Sequence, residues 1–419
     1  MADAASLAPI TCLLTIHGIG FQQFPDDDAG VAGYADGLHR ALHDQASLTT
    51  LLSDDPERSR GRKAAGDQGP VYVQSSWPPD GVRSTEKGLE RLGRLLDREA
   101  RTLQSPLPDL VEPGKTIAHV ALVYTPLEET GPDPIATLEL TVRGLFSAAH
   151  YATLTGGLTM LGRDVKAILH PPAVPPSTPA SSANIPRSDL PHREGLLRRL
   201  VDHVHGGPAA PGDAGALAVL HSVEDDVAGY FARNVLRERE RDFVRQVLLR
   251  LQLRGDVGRV VVNSHSQGTV VAFDTLRTLT VPALALVSDW LTLGSPLRKY
   301  AEILDWGTDV GAIIQVPHWT NLWDPLDPVA DPLRPPAGWR RGDPLPTPGP
   351  SGLFQDVDPD TGVAAAHDVK DGQVDNVGNT SSPGLRAHDY WGNVREVVPE
   401  IARRLAGQPV QFVDRDGHG

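Results

Sequence analysis

Between Arg259 and Asp274 the chain reads RVVVNSHSQGTVVAFD. A run of β-branched residues stops on Ser-His-Ser-Gln-Gly, and apolar residues resume at once. This pattern describes a buried strand that breaks sharply into a helix, with Ser266 at the apex. The backbone of such a turn is crowded, so the positions two before and two after the apex must be small. Here they are Ser264 and Gly268. The helix dipole and the N–H groups behind Ser266 favour negative charge developing nearby. A serine placed this way either opens a helix in the ordinary manner or serves as a nucleophile.

A second segment, His17-Gly18-Ile19-Gly20, follows the first apolar stretch directly. Acyl transfer to a hydroxyl needs two preorganised N–H donors for the tetrahedral oxyanion. One usually comes from the residue after the nucleophile, here Gln267. The other comes from a loop after an earlier strand. The glycines let the chain bend so that the amide of Ile19 can face the same place. A purely structural turn is the plain alternative. A dinucleotide-binding turn would need its third glycine at position 23, where Gln23 stands.

These motifs are IHGIG at 16–20, NSHSQG at 263–268 and TLGSP at 292–296, with WDPLDPV at 323–329 and RAHDYWGNV at 386–394. Together they resemble the α/β-hydrolase superfamily, in particular its lipase- and esterase-like members. The resemblance covers the sheet-forming parts of the chain and omits 134–220 and 335–385. Ser264, where the family pattern has glycine, is a departure that keeps the side chain small. The resemblance implies that Ser266 is the nucleophile, that Ile19 and Gln267 supply the oxyanion hole, and that an acid and then a histidine follow in chain order.

A serine hydroxyl is a weak nucleophile until a base takes its proton, and the base needs a carboxylate to hold its tautomer and stabilise its charged form. The segment WDPLDPV follows a short strand and offers two acids. Asp327, ahead of a valine, resembles the family's acid. Asp324 is the alternative acid. Whichever is not used caps or organises the turn, since Asp before Pro is common turn chemistry; both as turn residues is the remaining reading. For the base, His388 lies just before the last helix with Tyr390 and Trp391 beside it. His367 shares the Ala-His-Asp string and is the alternative base, without a nearby aromatic anchor. His418 sits in a polar tail. His17 reads as structural or as a pocket wall, and His265 as directed away from the nucleophile. No pair of these offers ligand spacing with a matching carboxylate, so neither a metal nor a cofactor is expected. The stretch Asp356–Gly362 begins like a calcium loop, but its glycine comes one position late and position twelve is His367. It reads as a solvated loop.

The elements that must position these groups alternate in type. Strands are expected at 10–16, 71–77, 116–124, from 259, at 283–293 and at 319–323. Helices are expected at 31–42, 84–103, 134–169, 193–204, 223–253, 267–279 and 391–405. Alternation of this kind implies a mainly parallel central sheet with helices on both faces. The expectation is a single α/β domain over 1–419 with the α/β-hydrolase fold. A helical lid or cap insertion would occupy 134–220, including a Pro/Ser-rich linker over 171–191. A long irregular excursion would occupy 330–385.

The chain has 419 residues, 40% of them hydrophobic, and a net charge of −14. That balance disfavours nucleic acid and anionic membrane surfaces, which require clustered Lys and Arg. One cysteine, Cys12, allows no disulfide. No signal peptide is read at the N-terminus, so a cytoplasmic location is expected. The uncharged stretch 144–162 approaches membrane-spanning length but holds four glycines, and reads as a buried or lid helix rather than a span. Its Leu145, Phe146, Tyr151 and Leu154 could face an apolar acyl chain, or simply complete the core. The reading is a serine hydrolase of carboxylic esters acting on a small-molecule or lipid ester. The alternatives are an acyltransferase or thioesterase on the same scaffold, and a binding protein of the same fold without catalysis.

Overall fold

A computed structural model describes residues 9–18, 32–56, 69–74, 110–123, 234–279, 281–298, 301, 312–314, 316–327, 329–336, 339, 343–345, 351–358, 360–380 and 386–409. In chain order the strands and helices are β1 (Ile10–Ile16), α1 (Asp36–His43), β2 (Leu52–Ser53), β3 (Val71–Gln74), β4 (Ile117–Val123), α2 (Asn234–Arg254), β5 (Val257–His265), α3 (Gln267–Thr278), α4 (Val281–Leu284), β6 (Val287–Leu293), β7 (Ala312–Ile314), β8 (His318–Trp323), β9 (Gln355–Val357), β10 (Ala364–Ala366), β11 (Lys370–Gln373), α5 (Asn376–Asn379) and α6 (Val397–Leu405), with a 3-10 turn at Arg386–His388 before α6.

Eight strands form one sheet in the order β11-β8-β6-β5-β1-β4-β2, with β3 also on β4, and all its pairs are parallel. Parallel sheets need cover on both faces, and the side chains divide accordingly. Cys12, Leu14 and Ile16 of β1 enter one core together with Val247 and Leu251 of α2 and Val270 and Phe273 of α3. Leu13 of the same strand enters the other, with Leu38 and Leu42 of α1 and Val398 and Ile401 of α6. The first core is built around aromatic rings: Trp290 stacks on Trp319 at 4.3 Å between centroids, with Phe273 and Phe354 alongside. A buried set ties α6 to the sheet. Arg404 donates to Glu400 on its own helix, to Asp289 of β6 at 3.1 Å and to Thr320 of β8 at 2.7 Å. Removing one partner from such a set costs roughly 3–5 kcal/mol.

Strand order matters for function. From β1 in the middle of the sheet the chain crosses to one edge with β2 and β3, comes back with β4 between them and β1, then passes to β5 on the other side of β1 and proceeds to β6, β8 and β11. The reversal falls between β1 and β5. Crevices outside the carboxyl ends of strands at such a switch point are where α/β proteins bind ligands.

The structure corrects several boundaries. Residues 283–286 are not strand: α4 and a turn precede β6, because Pro282 has φ preset for a first helical turn. The last helix begins at Val397 rather than Trp391. The residues between make turns, with Asn393 Oδ1 accepting from the amides of Arg395 and Glu396. The region 330–385 is not irregular throughout. It supplies β9 and β10, which form a three-stranded sheet with β7, and β11, which extends the main sheet beside β8. These strands are three or four residues long. β9 (Gln-Asp-Val) and β11 (Lys-Asp-Gly-Gln) are mostly polar and β10 is three exposed alanines, and β11 is an edge strand held by backbone pairing, so no apolar alternation announced them. The expected helices at 84–103, 134–169 and 193–204, the lid, its linker and the stretch 144–162 lie outside the described residues. Among the described residues, no helix is long and apolar enough to cross a membrane.

Candidate active site

The pairing register brings the sequence motifs to one edge. Ile16 pairs with Ser264, so His17 and Gly18 run beside His265 and Ser266. His265 pairs with Leu293, and the Ser266 amide donates to the Leu293 carbonyl at 2.9 Å, so Gly294 is the next neighbour. Leu293 pairs with Leu322, which sets Asp324 just beyond the end of β8. Four separate segments therefore end on the same rim of the sheet.

Ser266 occupies the apex between β5 and α3 with φ 52° and ψ −130°, and is the only described non-glycine residue with positive φ. Holding an L-residue there stores on the order of 1–3 kcal/mol, and such strain concentrates where a side chain must be held in one place. Its surroundings explain the small neighbours. A Cβ added to Gly268 would lie 2.4 Å from the His17 carbonyl oxygen and 2.6 Å from that of Ile16, so α3 can start against β1 only through glycine. A Cβ on Gly18 would lie 2.5 Å from the Ser266 Cβ. Ser264 is more than small. Its hydroxyl donates to the Leu291 carbonyl at 3.0 Å and accepts from the Trp290 indole at 2.9 Å. A serine suits this position because a buried indole N–H needs a partner.

Gly268→Ala is accordingly expected to destabilise the protein by roughly 1–3 kcal/mol through overpacking against backbone that cannot yield. A urea titration reads it, and an unchanged midpoint would mean the β1–α3 contact is looser than described.

His388 and Asp327 meet. The ring Nδ1 lies 2.7 Å from Asp327 Oδ2, which also accepts from the Tyr390 hydroxyl at 3.0 Å, while Oδ1 accepts from the Val329 amide at 2.9 Å. Burial alone would raise this carboxyl. The charge and hydrogen bond of His388, followed by the Val329 and Tyr390 bonds, outweigh burial and hold it below the usual range. An ionised carboxylate only accepts, so Nδ1 carries the proton and Nε2 is left as the basic nitrogen. Gly294, with φ 61°, lets the ring approach the rim: a Cβ there would sit 2.9 Å from His388 Cε1 and 2.7 Å from Tyr390 Cε2. The Ser266 hydroxyl is not hydrogen-bonded to the His388 ring. Such bonds are often long until substrate is present.

Asp324 is engaged differently. Oδ1 accepts from the Leu326 amide at 2.7 Å and Oδ2 from the Asn376 amide at 2.7 Å, so it closes the turn and joins it to α5. Burial raises its carboxyl to about 7 against these two bonds. His367 lies against Trp319 and pairs with Asp356 of β9, away from the rim. Asp358 Oδ1 accepts from the amides of Asp360 and Thr361 in the β9–β10 turn. Gln267 opens α3, and first-turn N–H groups point out of the N-terminal end. Ile19, Leu145, Phe146, Tyr151 and Leu154 lie outside the described residues.

His265 does more than its sequence position suggested. Its Nε2 donates to the His388 carbonyl at 2.9 Å, and its ring lies 4.6 Å from that of His388 and 4.9 Å from that of Trp391. The residue beside the apex serine thus holds the loop that carries His388. His17 is fully buried with Nδ1 2.5 Å from the Gly18 carbonyl oxygen, and packs on Tyr34.

Burial lowers His17 to about 4 and, with the charge of His388, lowers His265 to about 3, and His39 and His119 shift the same way. The unfolded chain takes up these protons near pH 6.5 and the folded chain does not, so their stability is present above 6.5 and declines as pH falls. At pH 5 His17 and His265 each cost about 2 kcal/mol. Asp324 opposes this, because its raised carboxyl stabilises below pH 7. Asp324→Asn removes that opposition, so its urea midpoint is expected to fall more steeply than wild type between pH 7.5 and 5. Parallel profiles would contradict the assignment.

Fold and rim together define a class: an α/β protein with a parallel sheet, a strained serine at the switch point, and beside it a histidine–aspartate pair made by the loop after β8 and the turn before α6. Compared with known proteins, the chain matches no family model, no curated protein and no solved structure.

Proposed function

We propose that the protein is a serine hydrolase of carboxylic esters, of the kind the α/β-hydrolase resemblance implies. Ser266 Oγ attacks the ester carbonyl while His388 Nε2 takes its proton. Asp327 fixes the tautomer and stabilises the imidazolium, and His388 then protonates the departing alcohol. The amides of Gln267 and Ile19 receive the oxyanion. Water, activated by the same imidazole, releases the acid and restores Ser266. The single observation that carries the reading is the 2.7 Å Asp327–His388 contact at the rim that also bears the positive-φ serine. An ordinary helix start would not need that strain or that pair beside it.

Assay with p-nitrophenyl esters of rising acyl length tests the proposal, with turnover expected and its dependence on length reporting the acyl pocket. Transfer to added alcohols or thiols in preference to water would move the reading to an acyltransferase. Silence towards the whole series would favour a binding protein.

A further inference from the structure

We propose that His39, His43 and Asp54 form a binding site for a divalent transition-metal cation of the zinc type. This site is separate from the serine rim and does not depend on the hydrolase reading. His39 and His43 stand one turn apart on α1, the spacing that puts two imidazoles on one helix face. Asp54 follows β2. The Nε2 atoms of both rings converge on the same carboxylate oxygen, Asp54 Oδ1, at 3.0 and 3.1 Å, and the three donor atoms lie within 4.8 Å of one another. A tetrahedral zinc with bonds of roughly 2.0–2.2 Å holds its ligand atoms about 3.3 Å apart. A cation therefore fits once the carboxylate oxygen withdraws by a few tenths of an ångström and the two ring nitrogens, which lie within 4.8 Å of each other, settle at that same separation. Two neutral imidazoles and one carboxylate leave a fourth position for water. They are a donor set that suits zinc and its neighbours rather than calcium or magnesium.

The second observation is the support behind His39. Its side chain is fully buried, whereas those of His43 and Asp54 are 12% and 22% exposed, so a cation can enter past His43 and Asp54. The His39 ring stacks on His119 at 5.2 Å with Nδ1 3.0 Å from His119 Nδ1. His119 Nε2 lies 2.9 Å from Thr15 Oγ1, which accepts from Asn263 at 3.2 Å. Ligating histidines are characteristically oriented through their second nitrogen in this way. The protons of this chain can run in either direction. Metal on His39 Nε2 fixes one of them: His39 Nδ1–H donates to His119 Nδ1, and His119 Nε2–H donates to Thr15.

The test uses the full chain, stripped of metal by chelation and titrated with Zn2+ by calorimetry and with Co2+ by visible absorption, beside His43→Gln. His43 is partly exposed, so this variant is expected to fold, and its unfolding midpoint without metal checks that. The expected result is one high-affinity cation per wild-type chain, four- or five-coordinate Co2+ bands, and binding at least about 100-fold weaker in His43→Gln. An Nε2-protonated to Nδ1-protonated switch at His39 in 15N spectra would accompany Zn2+. Wild type binding no cation, or both proteins binding alike through other histidines, overturns the proposal.

Discussion

Ester turnover is expected to fall by about 10^4-fold or more in Ser266→Ala, with no loss of fold. Catalysis through an acyl-enzyme ends with its nucleophile, and what remains is the background from oxyanion donors and binding. Stability is expected to stay close to wild type because the Ser266 hydroxyl makes no hydrogen bond among the described residues, so its removal orphans no partner. Alanine meets the same backbone strain as serine at φ 52°. Glycine does not. Ser266→Gly is therefore expected to be equally inactive yet more stable by roughly 1 kcal/mol, since it relieves a conformation L-residues rarely adopt. Turnover and urea midpoints on the three proteins read both effects. A serine that merely opened α3 would give the stability change without the loss of activity.

Asp327→Asn is expected to lower kcat by about 10^4-fold. The carboxylate accepts from His388 Nδ1, Tyr390 and the Val329 amide. An amide in its place can turn its NH2 towards Nδ1, which drives the ring proton to Nε2, the atom that must receive the serine proton. The base is then present, well placed and in the wrong tautomer. Asp324→Asn is expected to cost less than about 10-fold, because that side chain accepts two backbone amides and touches neither ring nitrogen of His388. The comparison discriminates: if only Asp324→Asn abolishes turnover, the acid is misassigned. The same logic separates His388→Ala from His367→Ala.

Local signals were the legible ones. The run RVVVNSHSQG is a buried strand meeting a turn, and both β5 and α3 follow it closely, because the pattern is set by neighbours in sequence. Ile10–Ile16 reads as a strand buried on both faces for the same reason. What escaped is set by contacts distant in sequence. Gly294 permits the approach of His388, nearly a hundred residues later, and nothing in TLGSP announces that. His265 holds the His388 loop from beside the apex, a role visible only once β5 and that loop are adjacent. Ser264 looked like a tolerated substitute for glycine, but its hydroxyl serves Trp290 across the β5–β6 pair. The strand at 370–373 was missed because an edge strand needs backbone partners rather than apolar alternation. His39 falls on the helix expected over 31–42 and His43 one residue past that expected end, so their shared face appears only with α1 running to His43, and Asp54 joins them only through tertiary structure.

The central claim is that Ser266 is a nucleophile activated by His388 and Asp327. It is tested most directly by a fluorophosphonate probe followed by intact-mass measurement and peptide mapping. One adduct per chain is predicted, located on Ser266, formed rapidly in wild type and slowed severalfold or more in Asp327→Asn. Absence of an adduct, or one placed on another serine and unchanged in Ser266→Ala, would contradict it.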